Sequence, residues 1–123
     1  MKIEISIGEL VDKITILKIK LTQINDENKL KNISQEHDYL VNFLPQDENI
    51  KSYFDKLFDI NLKLWHVEDL LRDFENQKKF DEEFIECARS VYHLNDERAR
   101  IKKNINLNYN SSFVEEKSYN YMP

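Results

Sequence analysis

Six side chains in this sequence could do chemistry together: Asn61, Glu68, Arg72, Arg89, Asn95 and Arg98. Asn61, Glu68, Asn95 and Arg98 fall at positions where the surrounding pattern calls for apolar residues, and Arg72 and Arg89 lie within reach. A carboxylate and several guanidiniums turned toward the inside of a protein must pair or hydrogen-bond, because an isolated buried charge is too costly. Two outcomes follow. The group is an ion-pair network that fixes helix register, as single polar seam residues do in coiled coils. Alternatively it lines a central pocket in which Arg98 and Arg89 hold an anion and Glu68 acts as acid, base or orienter. The second outcome describes a small helical enzyme or anion-binding protein for a phosphorylated or carboxylated small molecule. A basic run, Arg98, Arg100, Lys102 and Lys103, is a further anion candidate, although cations near a helix C-terminus also simply complement its dipole. Glu9 and Asp12, three apart on one helical edge, are weak candidates for a hard cation.

Other chemistries fail on spacing. Gly8 is the single glycine, so no glycine-rich phosphate loop exists. His37, His66 and His93 lack the i, i+4 spacing of a zinc helix. Glu83-x-x-Glu86 supplies only half of the paired carboxylates that a helical pyrophosphohydrolase needs. Cys87 lies among Phe84, Ala88 and Val91, as a small buried residue rather than a nucleophile. No motif asks for a cofactor.

These residues need helices to position them. The chain has 123 residues with one Gly and two Pro, too little punctuation for an all-β domain, and 33% of it is charged. The expected fold is all-α, an antiparallel four-helix bundle or pair of long helical hairpins with a C-terminal tail. Ser6 with Glu9 forms a capping box for a first helix at about 7–24, whose seam is Ile7, Leu10, Ile14, Leu17, Leu21 and Ile24. Ile16 and Ile19 give that helix a second apolar stripe. Asp26 caps a second helix at about 27–44, ended by Pro45. Asp47 caps a third at about 48–78, and Asp81 a fourth at about 82–106. Residues 1–106 form the bundle and 107–123 the tail, expected to dock through 113–121 near Ile16 and Ile19, with Glu115, Glu116 or Lys117 meeting Lys13 or Asp12. Up-down-up-down pairing sets Asn61 opposite Arg98.

The third and fourth helices outreach the first two by ~20 Å at the rise of an α-helix. Trp65, Leu70, Leu71, Phe74, Phe84 and Ile85 occupy that overhang. A patch of this size invites cover, and a second copy of the chain is the simplest closed solution. The expected partner set is therefore a homodimer and an unidentified protein. Lys and Arg number 18 against 23 Asp and Glu, a net charge of −5, which argues against nucleic acid. No apolar run approaches the ~20 residues of a membrane span, and the start MKIEISIGEL has no apolar core of a secretory signal. One cysteine excludes an internal disulfide, so a cytoplasmic setting is expected.

The stretches ISIGELVDKITILKIK (5–20), LWHVEDLLRDFE (64–75), FDEEFIECARSVYHLNDERARIKKNIN (80–106) and VEEKSY (114–119) resemble a family of small bacterial and phage proteins known only as a domain of unknown function. The resemblance spans nearly the whole chain. It implies a self-standing module and assigns no reaction and no catalytic residue.

Overall fold

The structure is a computed structural model and describes residues 1–122. Four helices follow in order: α1 (Ile7–Gln23), α2 (Glu27–Val41), α3 (Glu48–Gln77) and α4 (Glu82–Asn108). Each begins where a short polar side chain supplies an acceptor to a free backbone N–H. Ser6, Asp26, Asp47 and Asp81 accept from Glu9, Lys29, Ile50 and Phe84 respectively. α2 stops at Val41, three residues before Leu44, and α4 runs two residues beyond Asn106. No glycine is available to end α3. Lys78 takes the left-handed conformation instead (φ 53°), and Lys79 N–H donates to the Phe74 carbonyl at 2.9 Å, closing the helix as a Schellman motif does.

α1 is the central element. It packs on α2, α3 and α4, whereas α2 touches α1 alone. This accounts for the two apolar stripes of α1: a helix covered on two sides is apolar on two sides. Leu10, Val11, Ile14, Leu17 and Ile19 are all buried. Val11, Leu57 and Ile105 meet at the centre, one from each of α1, α3 and α4. α2, with no buried residue, is an outer layer, tied to α1 by Lys13–Glu36 at 3.2 Å. His37 is half-buried there and contacts Asp38 at 3.2 Å.

α1 and α4 approach closely at Gly8. Its N–H donates to Asn106 Oδ1 at 2.7 Å, and a Cβ at this position would lie 2.7 Å from both that oxygen and the Lys102 carbonyl. Hydrogen here, rather than a methyl group, lets the two backbones meet.

The tail is docked, on a different face from the one expected. It lies against α4 and the start of α1, not on Ile16 and Ile19. Ser111 Oγ accepts from Ile7 N–H at 3.0 Å, Lys103 pairs with Glu116 at 3.3 Å, and Lys102 with Glu115 at 3.6 Å. Met122 N–H donates to the buried Asp96 at 2.8 Å. Its carbonyl accepts from Arg100, whose guanidinium stacks 5.3 Å over Tyr121. The contacts are electrostatic: α4 offers Arg100, Lys102 and Lys103 to the tail, and Lys102 and Lys103 pair with its Glu115 and Glu116. Ile19 is instead buried within the helix packing and Ile16 stays half-buried beside an open cleft.

Candidate functional site

The polar centre of the molecule is Asp12. Ser6 sets the start of α1, and Gly8 sets its distance from α4. One turn later the Asp12 side chain meets α3 and α4 with 3% of the residue exposed. Arg98 grips it in a two-point fork, Nε to Oδ1 at 2.9 Å and Nη2 to Oδ2 at 2.6 Å, the geometry that makes arginine the tightest carboxylate partner. Asn61 Nδ2 donates to Asp12 Oδ1 at 2.9 Å and to Thr15 Oγ1 at 2.8 Å. The Thr15 hydroxyl spends its own proton on the Asp12 carbonyl at 2.6 Å. Lys102, nearly buried, stands between three carboxylates: Glu9 at 2.5 Å, Glu115 at 3.6 Å and Asp12 at 3.9 Å.

Proton affinities follow these contacts. The hydrogen bond to Asp12 drives the Arg98 guanidinium further up from an already high value, against the opposing effect of burial. The Lys117 ammonium, hydrogen-bonded to Glu115 and joined by Lys102, holds the Glu115 carboxyl below the usual carboxylate range despite partial burial. Burial first, then the Glu68 charge, pushes the Cys87 thiol up. With its S–H donated to the Val67 carbonyl at 3.7 Å, Cys87 is a poor source of thiolate.

The sequence-derived cluster is partly assembled and partly scattered. Asn61 and Arg98 do meet, through their shared partner Asp12. Glu68 does not join them. It is exposed, paired with Arg72 at 3.6 Å along one helix edge. No element of the described residues covers it at that level, so the inward Glu68 expected from the seam pattern is corrected. Arg89 is exposed as well, contacting Glu86 at 3.5 Å and Tyr92 Oη at 3.3 Å. Asn95 is exposed beside Arg98. The basic run divides: Arg98 and Lys102 serve the buried carboxylates, Arg100 and Lys103 hold the tail. Glu9 and Asp12 are each engaged by a cation, and among the described residues no group of three His, Cys, Asp or Glu is placed to hold a metal ion.

Asp12 is the residue that sequence reasoning misplaced, and Thr15, Asp96 and Asn106, each 3% exposed or less, are ones it missed. The signal for Asp12 was present. It sits one turn before Ile16 on the second apolar stripe, with Thr15 alongside, so the stripe carries a polar end that must face another element.

Two cavities meet at Arg98 and Asn95. The larger, about 600 Å³, is an open cleft between α1, α3 and α4. Ile16, Ile19, Leu64 and Trp65 give it apolar walls, and Glu68, Asp69 and Arg72 stand at one edge. The smaller, about 240 Å³, lies between α4 and the tail and adds Lys102, Glu115, Lys117 and Tyr119.

No helix of the described residues is long and apolar enough to cross a membrane. No curated protein and no solved structure matches the chain. The match is to a family model, described as a family of unknown function (DUF6165), and it covers residues 1–123. An all-helical chain, matched from end to end by that model, belongs to this family of unknown function.

Proposed function

We propose that this chain is a cytoplasmic, non-catalytic helical module that acts through protein contacts and pairs with a second copy of itself, using the end of the α3–α4 hairpin. The observation that carries this reading is the state of that end. On the register set by Thr15 and Asn61, α1 runs out at about the level of Asp69, and the remaining turns of α3 and the first turns of α4 project past it. Leu70 (49%), Phe80 (52%) and Ile85 (44%) are exposed there. Phe84 lies between Phe80 and Phe74 and meets both edge to face, with centroids 5.2 and 6.2 Å apart. The rings make a stiff platform, so covering it costs little conformational entropy.

Charge favours a second copy as the occupant. A two-fold contact places each patch against itself, so a patch of one sign would repel its twin. The rim here mixes signs: Arg72 with Glu68, Lys79 with Glu83, and Arg89 with Glu86. The non-catalytic part rests on the Asp12 cluster, in which Arg98 and Lys102 are already committed to carboxylates, and on the suppressed Cys87 thiol. The single free cysteine suits a reducing compartment.

Sedimentation or light scattering at micromolar concentration is expected to give twice the 14.9 kDa chain mass. Leu70→Glu with Ile85→Glu should return the chain mass without loss of helical signal, since both side chains are exposed. A species of 14.9 kDa at every concentration, with or without those changes, refutes self-pairing.

A further inference from the structure

We infer that the cleft between α1, α3 and α4 is a binding site for a small neutral amide carried on an apolar or aromatic body, its head seated on Asn61 and Arg98 and its body against Trp65, Ile16 and Ile19. The argument starts from two unfinished hydrogen-bonding groups. Asn61 is 5% exposed. Both protons of its amide nitrogen are used, one on Asp12 and one on Thr15. The orientation of that amide is fixed by chemistry: reversed, its oxygen would face the Asp12 carboxylate. Its Oδ1 accepts nothing from the described residues. Since no side-chain oxygen among them is both fully enclosed and unpaired, this acceptor opens on the cleft that Asn61 lines.

The second group is Arg98. Nε and Nη2 are taken by Asp12. Nη1, at the end of the guanidinium turned from that fork, has no hydrogen-bond partner among the described residues, and Arg98 lines the same cleft. The floor therefore presents a free acceptor on Asn61 and free guanidinium N–H donors on Arg98. Both atoms reach solvent, so a ligand that pairs with both would replace water there with direct, geometrically fixed hydrogen bonds.

Electrostatics selects the head group. A carboxylate or phosphate would gain little from Arg98, whose charge is already matched by Asp12 at 2.6 Å, and would meet Asp69 at an edge where Arg72 is already paired with Glu68. That works against the phosphorylated or carboxylated ligand suggested by the sequence. An ammonium would suit the edge but would face the Arg98 guanidinium at the floor. A neutral amide fits both, its carbonyl accepting from Arg98 Nη1 and its N–H donating to Asn61 Oδ1, with little desolvation penalty for the head. The volume of about 600 Å³ lies in the ordinary range for small-molecule sites, and apolar walls with a few convergent polar groups are their usual composition. The cleft adjoins the hairpin end and shares Glu68 and Arg72 with its rim, but the inference does not depend on self-pairing.

The chain supplies its own reporter, because Trp65 is the single tryptophan. Titration with benzamide, benzoate and benzylammonium at matched ionic strength varies only the head on one ring. Benzamide is expected to change Trp65 emission saturably, with a millimolar dissociation constant typical of a fragment, and the two charged probes to bind at least ~10-fold more weakly, a factor worth about 1.4 kcal/mol. Ile16→Phe, at a half-buried position on the cleft wall, fills the body subsite. It should abolish the benzamide response while circular dichroism and melting stay near those of the parent chain. Equal or tighter binding of benzoate or benzylammonium overturns the inference. So does the absence of saturation by benzamide in the unmodified chain, or a benzamide response that survives in a folded Ile16→Phe protein. Should that variant fail to fold, nuclear magnetic resonance of the unmodified chain decides: perturbations confined to Asn61, Trp65 and Ile16 support the site, and their absence there refutes it.

Discussion

Replacing Arg98 with methionine tests the claim that the centre of this molecule is a desolvated ion pair. The change keeps an apolar stem and removes the fork that holds Asp12. What remains around a carboxylate 3% exposed is one Asn61 N–H at 2.9 Å and the Lys102 ammonium at 3.9 Å. Breaking a buried pair by deleting one partner costs ~3–5 kcal/mol, because the other charge stays buried without its counterion. The Arg98 side chain is 29% exposed, and Lys102 can move closer, so the low end applies, about 3 kcal/mol. Unfolding entropy of ~2.1 cal/mol/K per residue, over 123 residues, turns that into a melting temperature lower by about 12 °C. Urea unfolding followed by helical circular dichroism, with the slope unchanged, measures it. The companion variant Asp12→Asn should lose less, since Arg98 can turn to water. The double variant should recover ~1–2 kcal/mol relative to the sum of the singles. A loss below ~1 kcal/mol for Arg98→Met, with a strictly additive cycle, would mean that Asp12 is hydrated and that the account of the polar centre is wrong.

Two more outcomes are expected. Gly8→Ala drives a Cβ to 2.7 Å from the Lys102 carbonyl, a backbone atom that cannot rotate away. The strain, with weakening of the Gly8 to Asn106 hydrogen bond, should cost ~2–3 kcal/mol. An unfolding midpoint equal to that of the parent chain would show that α1 and α4 sit farther apart. Glu115 titrates below the usual range because it is hydrogen-bonded to Lys117 and close to Lys102. A carboxyl with a depressed folded value contributes stability above its unfolded value and loses it as pH falls through the folded one. The tail should therefore loosen below about pH 4, the ordinary Glu range. Protection of the 111–122 amides from hydrogen exchange, compared between the parent chain and Glu115→Gln, reads this directly. Identical acid dependence in both would remove Glu115 as the cause.

The length and order of the helices were legible because their causes are local. Ser6, Asp26, Asp47 and Asp81 each satisfy a backbone donor within three residues, and the 3.6-residue rhythm of apolar side chains needs no knowledge of a partner. The level at which Asn61 meets Arg98 was legible for the same reason: a short turn between two long helices fixes their register by counting. Glu68 was misjudged because a seam position predicts direction only if something covers it, and α1 is at its last residues there and leaves Glu68 exposed. Arg72, one turn away, then offers a partner without any burial.

By itself, then, the sequence determined an all-helical chain with four capped rods, a polar Asn61–Arg98 level and an apolar hairpin end. Tertiary structure alone decided which carboxylate lies at the centre and where the tail lies. Asp12 is surrounded by residues from α3 and α4 some 49 and 86 positions away, and the tail is drawn by cations that only the packed α4 lines up. Burial depends on what other elements cover, and periodicity along one helix holds no record of that.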